Sequence, residues 1–215
     1  MYAIPAPRLP LPQVLDHAAT GAPLRRHHIN DYLLVPREVE YFNGVLALLG
    51  RAAPPLQTDQ LATAARMLND DTADDAPSAC IQQRIEHAQL LEQLLQDRDW
   101  EPSPQVSREL TLVVAYLHAS RQLIPDTVPG VGQLDLAIVI DTVWPKLTAE
   151  VANFLDYRRL RHVEAQRQGR SDEEIDFNRS RWLELREIEA RLHEHQRRVR
   201  ESSYAPEPLT YFRVH

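Results

Sequence analysis

His118, Asp126 and Asp135 are the residues whose types and spacing could do chemistry together. An imidazole and two carboxylates flank a turn rich in proline and glycine, the donor set of a small metal or acid–base site. The same residues have a plainer reading. Asp126 would close an Asx-turn, Asp135 would cap the following helix where the dipole favours its charge, and His118 would be a hydrogen-bonded core histidine. Other combinations are poorer. His27-His28 with Asp31 has the spacing of one helix face, a pattern common without a metal. Cys80, the single cysteine, stands just after Ser78 near a predicted helix start, with no partner base in its motif. His193 and His195 are two apart and point to different helix faces. Gly130-Val131-Gly132 lacks the third glycine and the preceding strand of a dinucleotide-binding loop, and neither a phosphate loop nor a nucleophile elbow occurs. No complete catalytic set emerges, so no cofactor or metal is expected and an enzyme is the weaker reading. The alternative is a metal-dependent hydrolase using His118, Asp126 and Asp135.

The elements that must position these residues read as helices throughout, with no run of alternating β-branched residues. Period and punctuation predict helices over about 12–20, 24–34, 37–50, 58–69, 78–98, 105–122, 133–143, 146–168 and 171–201, following an extended proline-punctuated arm over 1–12. Pro36 and Pro145 fit first-turn positions, and Ser103-Pro104 fits a cap followed by a first-turn proline. Residues 69–75 form an acidic loop, the best candidate for a partial boundary. Ser171 and Glu174 match a capping box opening a long last helix. On that helix Leu185, Leu192 and Val199 lie seven apart, with Trp182 and Ile188 beside them, and Glu187–Arg191 and Glu194–Arg198 support it at i,i+4. This stripe either docks on the chain's own core or pairs with another helix.

Residues 107–144 form a predicted helical hairpin. The first arm is apolar nearly all round, Pro125 ends it, Pro129-Gly130 suits the centre of a type II turn, and Gly132 permits a close backbone approach or a cap. This stretch resembles the YkvA-like family, a short bacterial domain of unknown function. The resemblance rests on Leu123-Ile124-Pro125-Asp126, then Val128-Pro129, Gly132 and Asp135 followed by apolar residues, with Tyr116-Leu117 fitting the preceding apolar helix. The family pattern has proline and aspartate where this chain has Ser120 and Gln122, and a second acid where it has Leu136. The resemblance implies a helical core and brings no activity with it.

Composition bounds the rest. The chain has 215 residues, 43% of them hydrophobic and 26% charged, ordinary for a globular protein and outside collagen-like, disulfide-scaffold and disordered classes. Of 24 basic residues only Lys146 is lysine. The net charge of −7 disfavours a general nucleic-acid surface. Residues 1–150 carry 11 basic and 19 acidic side chains, whereas 151–215 carry 13 and 12, so an anionic partner would be sought in the last third. There Arg158, Arg159, Arg161, Arg167 and Arg170 spread around a helix, which reads as a solvated face rather than a phosphate-binding stripe. The apolar runs Leu110–Ala119 and Leu134–Trp144 are shorter than a membrane span, and the second is interrupted by Asp135 and Asp141. Pro5, Pro7, Pro10 and Pro12 would break a signal helix, so the expectation is a cytoplasmic protein. The expected fold is all-α, a compact array of eight to nine helices with the Pro/Gly-turn hairpin at its centre. Its regions are 1–99, a YkvA-like core over 103–169, and a long C-terminal helix and tail over 170–215, integrated in one domain. The expected role is a non-enzymatic interaction module, acting on a protein partner or by self-association through the C-terminal helix; a membrane surface is a further, less favoured partner.

Overall fold

The computed structural model describes residues 8–17, 26–70, 77–119 and 122–203. These residues are mainly helical and include six α-helices, fewer than the eight or nine expected. A single 3-10 turn spans Gln13–Leu15 where a helix over 12–20 was expected, with 18–20 outside the described residues. The expected helix over 24–34 is instead a two-stranded ribbon, β1 (His28–Ile29) and β2 (Tyr32–Leu33), antiparallel with Ile29 opposite Tyr32; residues 24 and 25 lie outside the description. Asn30 takes a φ of 52°, which asparagine tolerates and a helix forbids, so the Asn30-Asp31 pair turns the chain. α1 (Pro36–Leu48) starts with Pro36 in its first turn, buries Val39, Phe42 and Leu46, and ends at Gly50 with φ 76°. There Arg51 N–H reaches Leu46 O at 2.9 Å, closing a Schellman motif.

α2 (Thr58–Asp70) packs on the 3-10 turn and β1, and α3 (Ala79–Gln96) packs on α4 (Pro104–Leu117). The acidic loop is accordingly shorter at its start, because Asn69 and Asp70 belong to α2; residues 71–75 lie outside the described residues. α4 begins as expected, the Ser103 hydroxyl accepting from Val106 N–H. It stops at Leu117, five residues before the expected end and well before Pro125, and buries only the face of Leu110, Val113 and Tyr116.

The two helices expected over 133–143 and 146–168 are one, α5 (Leu134–Gln168), with Pro145 inside it. A proline there removes a backbone bond and costs about 3 kcal/mol. Burial of Val143, Trp144 and Leu147 on both sides of it outweighs that local preference. α6 (Arg179–Ser203) also starts later than expected. Glu174 does reach back to Ser171 N–H at 3.1 Å, which forms half of the capping box. The chain then makes turns that bury Ile175 and Phe177, and Asn178 is the cap: its Oδ1 accepts from Arg181 N–H at 3.0 Å. Asn178→Ala is therefore expected to cost about 1 kcal/mol and Ser171→Ala much less, as read from paired thermal melts.

The chain divides into two compact units, Met1–Asp156 and Tyr157–His215, so the division falls inside α5 rather than between helices. The first unit has its centre at the start of α5, where Leu134–Ile140 is buried at every position. In the second, Tyr157, Ala165, Ile175, Phe177 and Trp182 are buried, and the Tyr157 hydroxyl donates to Phe177 O at 3.1 Å.

Candidate functional site

The turn between α4 and α5 is held by one buried carboxylate. Asp135, in the first turn of α5, is fully buried. Its Oδ2 accepts from the Tyr116 hydroxyl at 2.5 Å and from Leu123 N–H at 2.8 Å, so it joins α4, the turn and α5. Its Oδ1 has no hydrogen-bond partner of good geometry, although the backbone N–H groups of Ile124 and Leu136 favour the charged form. Burial dominates and pushes the Asp135 carboxyl above its ordinary range. Burial and the neighbouring Asp135 likewise push Tyr116 upward, so it stays a phenol and a donor. Other elements grip the same turn. The Tyr32 hydroxyl donates to Leu123 O at 2.9 Å, and Ser78 N–H donates to Gly130 O at 3.2 Å. Gly130 has φ 75°, the positive value that the Pro-Gly turn requires. Gly132 provides the close approach: a Cβ there would lie 2.5 Å from Asp126 O.

Beside this turn a cleft of about 590 Å³ opens between the start of α1 and the end of α4. Its floor is Phe42, Tyr116 and Leu123, with the Phe42 and Tyr116 rings 5.7 Å apart. Its walls carry Arg37, Glu38, Tyr41 and Gln122. Tyr41 is 69% exposed.

The structure distributes the residues expected to act together. Asp135 is sealed with Tyr116; His118 is exposed at the end of α4 and pairs with Glu92 Oε1 at 2.7 Å; Asp126 is exposed in the turn. Asp135 is also not the helix cap, since it follows Leu134 within the first turn, and its carboxylate serves the turn before it. Among the described residues no group of three or more His, Cys, Asp or Glu side chains could hold a metal. His27, His28 and Asp31 belong to the ribbon rather than to a helix face, and His27 Nδ1 lies 3.4 Å from the Thr58 hydroxyl. Cys80 is buried with its Sγ 3.1 Å from Ser78 Oγ. His193, 3.9 Å from Glu189, and His195 are exposed on α6. Within the basic stretch, Arg161 donates to Asp172 O and to the Tyr157 hydroxyl, and Arg167 pairs with Glu164 at 2.7 Å.

The predicted stripe divides. Trp182 is buried, Leu185 is half-buried, and Ile188, Leu192 and Val199 are exposed at 57%, 54% and 48%. Residues 190–201 are exposed at every position.

Three groups of the cleft were not singled out from the sequence: Arg37, Glu38 and Tyr41. They sit on a helix whose other face reads as core, and such charges look like ordinary solvated ones. Tyr116 did carry a signal, since a polar-tipped ring in an apolar helix needs a partner when buried. Asp135, which interrupts the apolar run after the turn, is that partner. No family model, no curated protein and no solved structure matches the chain.

Proposed function

We propose that this chain is a non-enzymatic bacterial interaction protein of the YkvA-like kind, built on the Asp135-pinned turn, and that it works by pairing α6 with the α6 of a second copy. The observation that carries this reading is an apolar stripe left in solvent on a helix whose positions 190–201 are all exposed. An isolated helix of that length is marginal in water. Intrahelical pairs such as Arg191–Glu187 and Arg198–Glu194 support it, and burying Ile188 and Leu192 would add about 1.5–3 kcal/mol for each side chain fully removed from water. The charges flanking the stripe differ between the two orientations such a pair could take. With Leu185, Leu192 and Val199 at the a positions, a parallel pair would set Glu184 beside Glu189 of the second copy. An antiparallel pair in the register that sets Glu184 beside Arg198 of the second copy, twice by symmetry, also sets Arg191 beside Arg191 of the second copy on the two-fold axis.

Light scattering coupled to size exclusion tests this. The full chain is expected to run as a dimer at micromolar concentration, and Ile188→Glu or Leu192→Glu is expected to give a monomer of unchanged melting at the core. A strict monomer at high micromolar concentration, or a dimer indifferent to both substitutions, would overturn the reading. Among the described residues no helix is long and apolar enough to cross a membrane.

A further inference from the structure

We propose that the cleft between α1 and α4 binds a small zwitterion, a free amino acid with a large apolar side chain, its carboxylate toward Arg37 and its ammonium toward Glu38. The volume of about 590 Å³ falls within the range of small-molecule sites, and the lining has the usual form of an apolar floor with a few convergent polar groups.

The charges are what select the ligand. Arg37 and Glu38 both line the cleft, yet neither side chain forms an ion pair or hydrogen bond among the described residues. They are successive positions on a helix, about 100° apart around its axis, so they do not neutralise each other. One cleft thus presents a cation and an anion, each without an ion-pair partner among the described residues. A single charge on the ligand would satisfy one and leave the other; a zwitterion satisfies both. The carboxylate end has further support. Val35 caps α1 without a side-chain bond, so the positive end of the helix dipole lies beside Arg37, offset in part by the Glu38 carboxylate of the same turn. The ammonium end has support from two sides. Gln122 commits its Nε2 to Leu117 O at 3.0 Å, leaving its Oε1 as an acceptor, and the exposed ring of Tyr41 offers a face to a cation. Between the two ends Phe42 and Leu123 provide apolar surface for a side chain. The floor is preorganised, because Tyr116 and Leu123 are both fixed by Asp135.

Isothermal titration of the full chain with L-phenylalanine and L-leucine tests the proposal, together with the methyl ester and the N-acetyl derivative of phenylalanine. The expected result is binding of both free amino acids, with the ester and the N-acetyl compound each weaker by about tenfold, the cost of one lost charge contact of about 1.4 kcal/mol. Arg37→Gln should abolish the discrimination against the ester alone, and Glu38→Gln the discrimination against the N-acetyl compound alone, the crossed pattern of a double-mutant cycle. Leu192→Glu should leave all four affinities unchanged, which separates this site from the α6 reading. No binding of either amino acid at millimolar concentration would overturn the proposal. So would affinity ratios that both cleft substitutions leave as they are in the unsubstituted chain, given melting curves that show both variants folded.

Discussion

Asp135→Ala is expected to destabilise the first unit by about 3 kcal/mol or more. The carboxylate accepts from two buried donors, the Tyr116 hydroxyl and Leu123 N–H, the latter having otherwise only a long 3.4 Å contact to the Tyr116 oxygen, and each buried donor left without a good acceptor costs about 1–3 kcal/mol. Removing the charge also removes its desolvation penalty, which offsets part of that loss. Asp135→Asn separates the two effects. One amide oxygen can keep both donors, but the amide nitrogen then stands near the N–H groups of Ile124 and Leu136, so the cost falls to about 1–2 kcal/mol. Tyr116→Phe removes one donor and its acceptor bond together and should fall below Asp135→Ala. Urea unfolding of the three variants orders them, and an Asp135→Ala chain as stable as the parent would show that the turn is held by packing alone.

The same carboxylate gives a pH dependence of known sign. Its pKa in the folded chain is raised, chiefly by burial, above the ordinary 3.8. Between those two values the folded chain holds a proton that the unfolded chain has released, so stability falls as pH rises. The contribution is complete below pH 3.8 and is lost as pH climbs through the folded value. His87 acts with the opposite slope. Burial, then Arg84 and Arg8, lower its pKa below the ordinary 6.5, so its contribution is present above that value and lost as pH falls through the folded one. In Asp135→Asn the first slope should vanish while the His87 slope persists, and urea midpoints measured across the acid-to-neutral range distinguish them.

How much of this was legible in the sequence depends on whether a signal had only local competitors. Pro36, Ser103 and the apolar period of α3 acted where they stood, and the helices there start within one residue of the expectation, although α4 ends five residues early. Pro145 and the Ser171–Glu174 box were equally good local signals and did not set helix boundaries. At Pro145 the buried residues on both sides continued the helix; at Ser171 the burial of Ile175 and Phe177, with Phe177 O taken by the Tyr157 hydroxyl, delayed it to Asn178. The site shows the same division. Pro129-Gly130 and Gly132 were readable because turn geometry is a property of a few consecutive residues. The pairing of Tyr116 with Asp135 was not, although both residues were in view, because it depends on which face of α4 meets the start of α5. The cleft was still less accessible: Arg37 and Leu123 are far apart in the chain, and helical period assigns Arg37 and Glu38 only to a polar face.

Gly132→Ala and Gly130→Ala test the turn and Gly44→Ala tests α1, with Gly132→Ala expected to cost the most. A Cβ at Gly132 would lie 2.5 Å from Asp126 O and 2.9 Å from Asp126 C and Cα, all of them backbone atoms that cannot rotate aside. The segment from Leu123 to Asp126 must then lift from the start of α5, which stretches the Leu123–Asp135 hydrogen bond as well. Overpacking of this kind costs about 1–3 kcal/mol and sometimes more, and the coupled bond places Gly132→Ala at the upper end. Gly130→Ala meets a conformational penalty instead, about 1–2 kcal/mol for an L-residue at φ 75°. Gly44→Ala should stabilise by about 0.5–1 kcal/mol, because Gly44 lies inside α1 with nothing within 4 Å of the added methyl. Chemical unfolding of the three variants should therefore give two losses of unequal size and one gain. Because Leu123 is also the cleft floor, Gly132→Ala should weaken amino-acid binding, whereas Gly44→Ala should not. Equal effects at Gly132 and Gly130 would mean that the chain yields at Asp126 and that the close approach is not what holds the turn.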